Sequence, residues 1–145
     1  MLIRHKGNFR WENISLLAYK EEGNCFRDIT RQILFEGAAN IPCQLRYFEI
    51  ASGGHSTLEH HEHLHLVIIA RGEGHVLIGD EIHSVRENDV MEIPSHTWHQ
   101  FRATSDNPLG FYCIVNIERD RPVRPSEDDL KYLRRKPEIA AFIRT

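Results

Sequence analysis

The sequence has no pair of cysteines at the spacing of a zinc site or a disulfide framework. Its three cysteines, Cys25, Cys43 and Cys113, are odd in number and widely separated, and we interpret them as reduced thiols. No apolar run approaches the roughly 20 residues that a membrane-spanning helix needs. The N-terminus also lacks the apolar segment of a signal peptide. These absences predict a soluble cytoplasmic protein with no membrane partner.

An excess of positive charge is also missing. The formal net charge is -3, and the basic residues are scattered apart from a short triplet at 134–136. This distribution gives no electrostatic reason to expect nucleic acid as a partner. The chain has 145 residues, of which 41% are hydrophobic. This is enough to bury the core of one domain.

Short segments rich in β-forming residues fill the middle of the chain. A strand over 44–51 is followed by a turn at Gly53 and Gly54, and a strand over 64–70 stops at a hairpin over 71–74. Another turn is expected at residues 79–81. Strands of this length, spaced about 8–12 residues apart, indicate a β-sandwich or a small barrel. The remaining predicted strands cover residues 75–79, 82–85, 90–93, 98–103 and 110–118.

The two ends of the chain differ from this strand-rich middle. Residues 1–43 form an N-terminal extension of the barrel, in which residues 28–37 fit either a strand or a short helix. We predict a barrel core over 44–118 and a helical tail over 119–145, within one domain overall. Residues 118–122 are interpreted as a salt-bridged turn. Ser126 is a suitable helix N-cap, acids follow it, and Pro137 should end that helix. One or two short helices are therefore expected to pack on the outside of the barrel.

Histidines are concentrated around the start of the predicted strand over 64–70. Five of the ten histidines lie within residues 55–65, and His96 and His99 follow further along. Neutral imidazole is the commonest protein ligand of metals. Glu59 and His61 are two residues apart and can share an ion. Strand positions six apart are roughly 20 Å apart, so His65 can join only if the chain bends near residues 62–64. Neighbouring strands must then supply the ligands.

The segment "LEHHEHLHLVIIARG" resembles the first signature motif of the cupin superfamily. The resemblance places Glu59, His61 and His65 at the ligand positions, with the carboxylate and one imidazole exchanged relative to the family pattern. The alternative register would place Leu58 and His60 there and lose a ligand. We therefore prefer the first register.

The segment "NDVMEIPSHTWHQF" resembles the second motif of the same family. His99 stands at its ligand position, and His96 and Asn88 stand where the family has glycines. Asn88 is compatible with this because asparagine also accepts left-handed turn conformations. The asparagine that sometimes closes the motif is Ala103 here.

The resemblance implies a jelly-roll barrel, a double-stranded β-helix, that holds one divalent ion through Glu59, His61, His65 and His99. Iron, manganese, nickel, copper and zinc all suit such ligands. An octahedral ion would keep two positions for substrate or oxygen. This predicts a metal-dependent enzyme acting on a small chelating molecule, with dioxygenase chemistry ranked ahead of Lewis-acid isomerisation or decarboxylation. Glu59 is also a candidate base.

Alternatives remain open at this stage. His63 is either a turn residue or a further ligand, and the same barrel could serve as a non-catalytic small-ligand sensor or carry a purely structural metal. Apolar residues occupy both faces of the strand over 64–70, which implies burial on both sides, against a second sheet or at a dimer seam. A homodimer is expected. Candidate residues of the substrate pocket are His63, His96, Trp98, Phe101, Tyr47 and Arg46.

Overall fold

Antiparallel strands make up most of the structure, a computed structural model that describes residues 1–20 and 25–145. Part of the predicted N-terminal extension, residues 21–24, lies outside the described residues. The strands within them are β1 (Leu17–Ala18), β2 (Arg27–Phe35), β3 (Cys43–His55), β4 (His65–Ile78), β5 (Glu81–Arg86), β6 (Val90–Ile93), β7 (His99–Ala103) and β8 (Leu109–Asn116). Two helices follow, α1 (Glu127–Leu133) and α2 (Pro137–Phe142).

The two longest strands hold the barrel together. Strand β3 pairs with β2, β7 and β8, and β4 pairs with β5, β6, β7 and β8, all antiparallel. Because β7 and β8 each bridge β3 and β4, the sheet curves back on itself and encloses an interior. This architecture confirms the predicted all-β jelly-roll barrel. It also places residues 28–37 largely in a strand and not in a helix.

Alternate residues of the long strands fill this interior. Phe48 of β3 stacks on Phe111 of β8 with ring centroids 5.4 Å apart, and Phe101 of β7 stacks on the same ring at 4.4 Å. Val67 and Ile69 of β4 are fully buried beside them. The period of two along β4 follows from the pleat of the strand, which points successive side chains to opposite faces.

The hairpin predicted at residues 71–74 is wrong, because β4 runs without a break from His65 to Ile78. The glycines there accommodate a bulge instead of ending the strand. Gly72 has φ +70°, and a Cβ atom at that position would lie 1.9 Å from the carbonyl oxygen of Pro108. The turn at Gly53 and Gly54 is also wrong, since β3 continues to His55. The reversal predicted at residues 79–81 is present between β4 and β5.

The helical tail packs against the outside of the barrel, as predicted. The Oγ atom of Ser126 accepts a hydrogen bond from the backbone N–H of Asp129, whose carboxylate accepts one from the Ser126 N–H. This reciprocal capping box fixes the start of α1. Pro137 begins α2. No helix in the described part of the chain has the length and apolar character needed to cross a bilayer. The apolar residues that join the tail to the barrel are Leu58, Leu77, Leu130, Leu133, Ile139, Phe142 and Ile143.

Candidate metal centre

Three histidines from separate parts of the chain meet inside the barrel. His61 lies just before a bend at residues 62 and 63, His65 is the first residue of β4, and His99 is the first residue of β7. Each offers a ring nitrogen, and the three nitrogens lie within 4.8 Å of one another. Imidazoles at this separation form a group that can hold a metal ion.

Backbone carbonyls set the tautomer of two of these rings. The Nδ1–H of His61 donates to the carbonyl oxygen of His63 at 2.7 Å, and that of His99 donates to the carbonyl oxygen of Thr97 at 2.9 Å. A carbonyl can only accept, so Nε2 in each neutral ring carries the lone pair. The Nε2 of His61 is buried and has no hydrogen-bond partner among the described residues. This orphaned acceptor, oriented through its other nitrogen, fits a metal ligand.

Burial keeps these rings in the neutral form that metals require. Desolvation, followed by the charge of His99, lowers the pKa of His61 to about 4. Desolvation also lowers the pKa of His99 to about 4. The pKa of His65 is lowered further by desolvation and by the other histidines. Because metal ions compete with protons for imidazole lone pairs, a site of neutral rings is ready to bind.

The carboxylate of Glu59 lies beside this group but is paired with a cation. Glu59 and His99 face each other across an isolated antiparallel bridge, in which each backbone N–H donates to the carbonyl of the other. The Glu59 side chain forms an ion pair with Lys20. In the described residues, the group of mutually close ligand atoms contains the three histidines without Glu59.

His63 lies against the rings of the histidine group and is held by Asp120. The ring of His63 stacks on that of His61 with centroids 3.6 Å apart, and its Nε2 is 3.3 Å from the Nε2 of His65. Its Nδ1–H donates to the Asp120 carboxylate at 2.6 Å. His61, His63 and Asp120 form a second set of mutually close ligand atoms.

Asp120 was not identified as a site residue from the sequence, where residues 118–122 were interpreted as a salt-bridged turn. Its carboxylate also accepts the backbone N–H groups of Glu62 and His63, at 2.8 and 3.2 Å. Desolvation raises the pKa of Asp120, but these hydrogen bonds outweigh it and the pKa is lowered overall. Asp120 therefore fixes the bend that carries His63, across 57 positions of sequence.

The histidine group opens into a cavity of about 510 Å³. Its described lining includes six cationic residues and two acidic ones. Tyr19, Lys20, Arg31, Arg119 and Cys113 were not predicted to line it, and no local motif marks them. The described residues that line the cavity are Tyr19, Lys20, Arg31, Arg46, Phe48, Ser56, Glu59, His61, His63, His65, His99, Phe101, Phe111, Cys113, Arg119, Asp120, Arg121, Pro122 and Arg124.

The predicted pocket residues divide into two sets. Arg46, Phe101 and His63 line the cavity. Tyr47, one position along the strand from Arg46, instead stacks on Phe9 at 5.1 Å, on the other face of the sheet.

The other two predicted pocket residues lie near the rim of the fold. Trp98 contacts His60, with ring centroids 4.3 Å apart, and packs against the helical tail. His96 is exposed and has φ +57°, the left-handed conformation that explains why related motifs use glycine there.

Comparisons with known proteins agree with this geometry. A protein-family model of the cupin domain matches residues 46–115. A 1-methylthio-D-xylulose 5-phosphate methylsulfurylase from Rhodospirillum rubrum is 50% identical over 139 residues, which cover 95% of this chain and 88% of that protein. A 5-nitrosalicylic acid 1,2-dioxygenase from Bradyrhizobium is 32% identical over 75 residues, 52% of this chain and 34% of that protein.

Solved structures extend the similarity to the whole chain. The crystal structure of a cupin 2 conserved barrel domain protein from Rhodopseudomonas palustris superimposes with a TM-score of 0.94. That protein is 46% identical, and the match covers 100% of both chains. With the barrel, the histidine group and these relatives in agreement, the chain belongs to the cupin superfamily.

Proposed function

We propose that this protein is a metal-dependent enzyme acting on a small phosphorylated ketose that carries a methylthio group. The relative from Rhodospirillum rubrum is named for the substrate 1-methylthio-D-xylulose 5-phosphate. The observation that carries the proposal is that three imidazoles meet at the wall of a cavity whose described charged residues are six cations and two acids. A volume of about 510 Å³ suits a ligand of this size.

His61, His65 and His99 are the proposed metal ligands, and Glu59 is the proposed fourth. Such a set suits iron, manganese, nickel, copper or zinc. A divalent ion bound here would supply Lewis acidity toward a carbonyl or enolate oxygen of the substrate.

The residues of the chain orient and enclose the substrate. The carbonyls of His63 and Thr97 hold the His61 and His99 rings in place. Phe101 and Phe111 form an apolar wall that excludes water from the reacting carbon atoms. Asp120 holds the His63 ring with its Nε2 toward the histidine group, and the proposed role of this ring is to accept a proton from the substrate.

A dioxygenase is the second candidate. What favours it is the three-histidine group together with the partial similarity to the dioxygenase from Bradyrhizobium. The two activities differ in their need for oxygen. Consumption of oxygen with an aromatic acid would support the dioxygenase, whereas anaerobic turnover of the sugar phosphate would support the first proposal.

We also propose that the protein works in the cytoplasm as a homodimer. Leu66 of β4 and Val90 of β6 leave large apolar side chains exposed on neighbouring strands, at 37% and 64% of their surface. Covering them with a second copy would remove that apolar surface from water. Light scattering coupled to size-exclusion chromatography gives the mass of the protein in solution, and the mass of a monomer would refute the proposed dimer.

The function is tested by metal analysis combined with an assay. Protein purified without a histidine tag should contain about one first-row metal ion per chain. It should transfer the methylthio group of 1-methylthio-D-xylulose 5-phosphate to an added small thiol. In this step the C1–S bond breaks, an S–S bond forms in a mixed methyl disulfide, and the thiol proton ends on C1, which gives 1-deoxy-D-xylulose 5-phosphate. The double variant His61→Ala/His99→Ala should lose both properties while keeping its β-rich circular dichroism spectrum.

The matched control is His83→Ala, an exposed histidine on β5. It should retain the metal and the activity. A folded double variant that still binds metal would refute the site. Full metal occupancy without turnover of the sugar phosphate, either in air or anaerobically, would refute the activity and favour a non-catalytic binding protein.

A further inference from the structure

We propose that Arg46 and Arg119, with Arg31 beside them, form a binding subsite for a phosphate monoester next to the histidine group. All three line the cavity. They come from different parts of the fold, since Arg31 lies on β2, Arg46 on β3 and Arg119 just after β8. No short motif joins them, and the barrel alone brings them together.

Arg46 is a buried cation that pairs with no carboxylate among the described residues. Only 8% of its surface is exposed. Its Nη2 donates to the Cys113 sulfur at 3.3 Å, its guanidinium lies 5.0 Å from the centre of the Phe48 ring, and its Nε has no partner among the described residues. A thiol and an aromatic face compensate poorly for the loss of water around a full positive charge. The uncompensated charge indicates that an anion belongs beside it.

The hydrogen bonds that hold Arg119 in the described part of the chain are all made to neutral groups. Its Nη1 donates to the backbone carbonyls of Asn116 and Ile117, at 3.1 and 3.2 Å, and its Nη2 donates to the Oε1 of Gln44 at 3.1 Å. These bonds fix the guanidinium without cancelling its charge. A cation that is ordered before the ligand arrives loses little entropy when the ligand binds.

The positive charges in this part of the cavity are mutually close. Arg31 pairs in register with Phe48 across β2 and β3, which places it on the interior face of the sheet. Burial, followed by the charges of Arg46 and Arg31, lowers the pKa of Arg119. This repulsion is a cost of folding that a bound anion would relieve.

The two acids in the described lining of the cavity have other partners. Glu59 is paired with Lys20, and Asp120 with His63. Within residues 1–20 and 25–145, neither Arg46 nor Arg119 forms an ion pair with a carboxylate. Guanidinium groups match the oxygens of phosphate in charge and in geometry, because they donate two parallel hydrogen bonds. A phosphate monoester therefore fits the subsite better than a neutral sugar.

A single residue, Cys113, lies between the subsite and the histidine group. The sulfur of Cys113 lies 3.5 Å from the Nδ1 of His65 and 3.3 Å from the Nη2 of Arg46. A ligand anchored by its phosphate at the arginines would extend its carbon chain toward the imidazoles. Identifying this anion as the phosphate of the substrate rests on the proposed function. The anion subsite itself can be tested without it.

Inorganic phosphate is the probe, and its binding to the full-length protein is measured by calorimetry. Two forms of the protein are titrated: the protein as purified, and the protein after a chelator has removed its metal. The wild-type protein should bind phosphate in both forms, because the arginines and not the metal hold it. Arg46→Gln and Arg119→Gln should each weaken the affinity roughly tenfold to a hundredfold, as expected for the loss of charged hydrogen bonds. Arg135→Gln, on the exposed tail, should bind as the wild type does.

Absence of phosphate binding to the wild type, or wild-type affinity for phosphate in both cavity variants, would overturn the subsite. If Arg46→Gln does not fold, Arg119→Gln decides, because Arg119 is more exposed and contacts only neutral groups. Phosphate titration requires no turnover. Protein that is inactive on the sugar phosphate but binds phosphate through Arg46 would overturn the proposed function alone, and active protein with unchanged phosphate affinity in the variants would overturn the subsite alone.

Discussion

The Glu59 carboxylate forms an ion pair with the Lys20 ammonium group beside three metal-competent imidazoles. The Glu59 side chain is 7% exposed and that of Lys20 is 25% exposed. A buried carboxylate needs a counter-charge, and two cations could provide it for Glu59. Lys20 provides it in this structure, and a metal ion at the histidine group would provide it as well.

This competition predicts opposite effects of two substitutions. Glu59→Gln should lower metal affinity at least tenfold. Substitution of a residue that only hydrogen-bonds to a metal ligand already costs about tenfold in affinity, and loss of a ligand should cost no less. Lys20→Met should keep or raise the affinity, because it removes the cation that competes for the carboxylate. Competition titration with a chromophoric chelator measures both. Lys131→Met, an exposed lysine paired with Asp128, serves as the control, and unchanged affinity in Glu59→Gln would show that Glu59 is not a ligand.

A second prediction separates His63 from the proposed ligands. His63→Ala should keep about one metal ion per chain, because His61, His65 and His99 remain together. Asp120→Asn should also keep the metal but lower turnover, since it weakens the bond that orients the His63 ring. Metal analysis and steady-state kinetics on the same preparations test this. Loss of metal in His63→Ala would place His63 among the ligands.

The lowered histidine pKa values predict how stability depends on pH in the metal-free protein. His99 has a pKa of about 4 when folded and about 6.5 when unfolded. Between these values the unfolded chain binds more protons, so the free energy of unfolding should fall as the pH falls from about 6.5 to about 4. For His99 alone the loss is on the order of 3 kcal/mol. Buried His61 acts in the same direction.

Urea unfolding at pH 8, 6 and 5 measures this dependence. His99→Gln should flatten the curve between pH 6.5 and 4, whereas His83→Gln, on the surface, should leave it unchanged. A wild-type curve with no slope over this interval would contradict the burial of neutral imidazoles in the metal-free protein.

The capping box predicts the contribution of Ser126 to stability. Ser126→Ala removes the acceptor for the Asp129 N–H and should lower the free energy of unfolding by about 1 kcal/mol. Ser126→Thr keeps a hydroxyl that can accept from the Asp129 N–H and donate to the Asp129 carboxylate, and should retain most of the stability. Chemical denaturation measures both variants. Equal stability of Ser126→Ala and the wild type would show that α1 contributes little to the folded barrel.

Features of the protein that depend on residues close together in the chain could be predicted from the sequence. The two-residue spacing of Glu59 and His61 placed these side chains near one another because the pleat has a fixed period, whereas His65 was placed beside them by the resemblance to the cupin motif. Tail capping was also predictable, since Ser126 and the acids that follow it act within one helical turn. The hairpin at residues 71–74 was mispredicted because a glycine permits either a turn or a bulge. The close approach of Pro108 to Gly72 decides between them.

The amino-acid sequence by itself determined the strand-rich class of fold and the imidazole-rich character of the candidate site, because both follow from residue types and spacing along short segments. Only the tertiary structure decided which distant residues complete the site. Asp120 reaches His63, Lys20 reaches Glu59, and Arg119 joins Arg46. These pairings depend on how the antiparallel strands curve into a closed barrel. Side chains that are far apart in the chain then face one shared interior. Burial there removes water, which strengthens the electrostatic interactions between their charges.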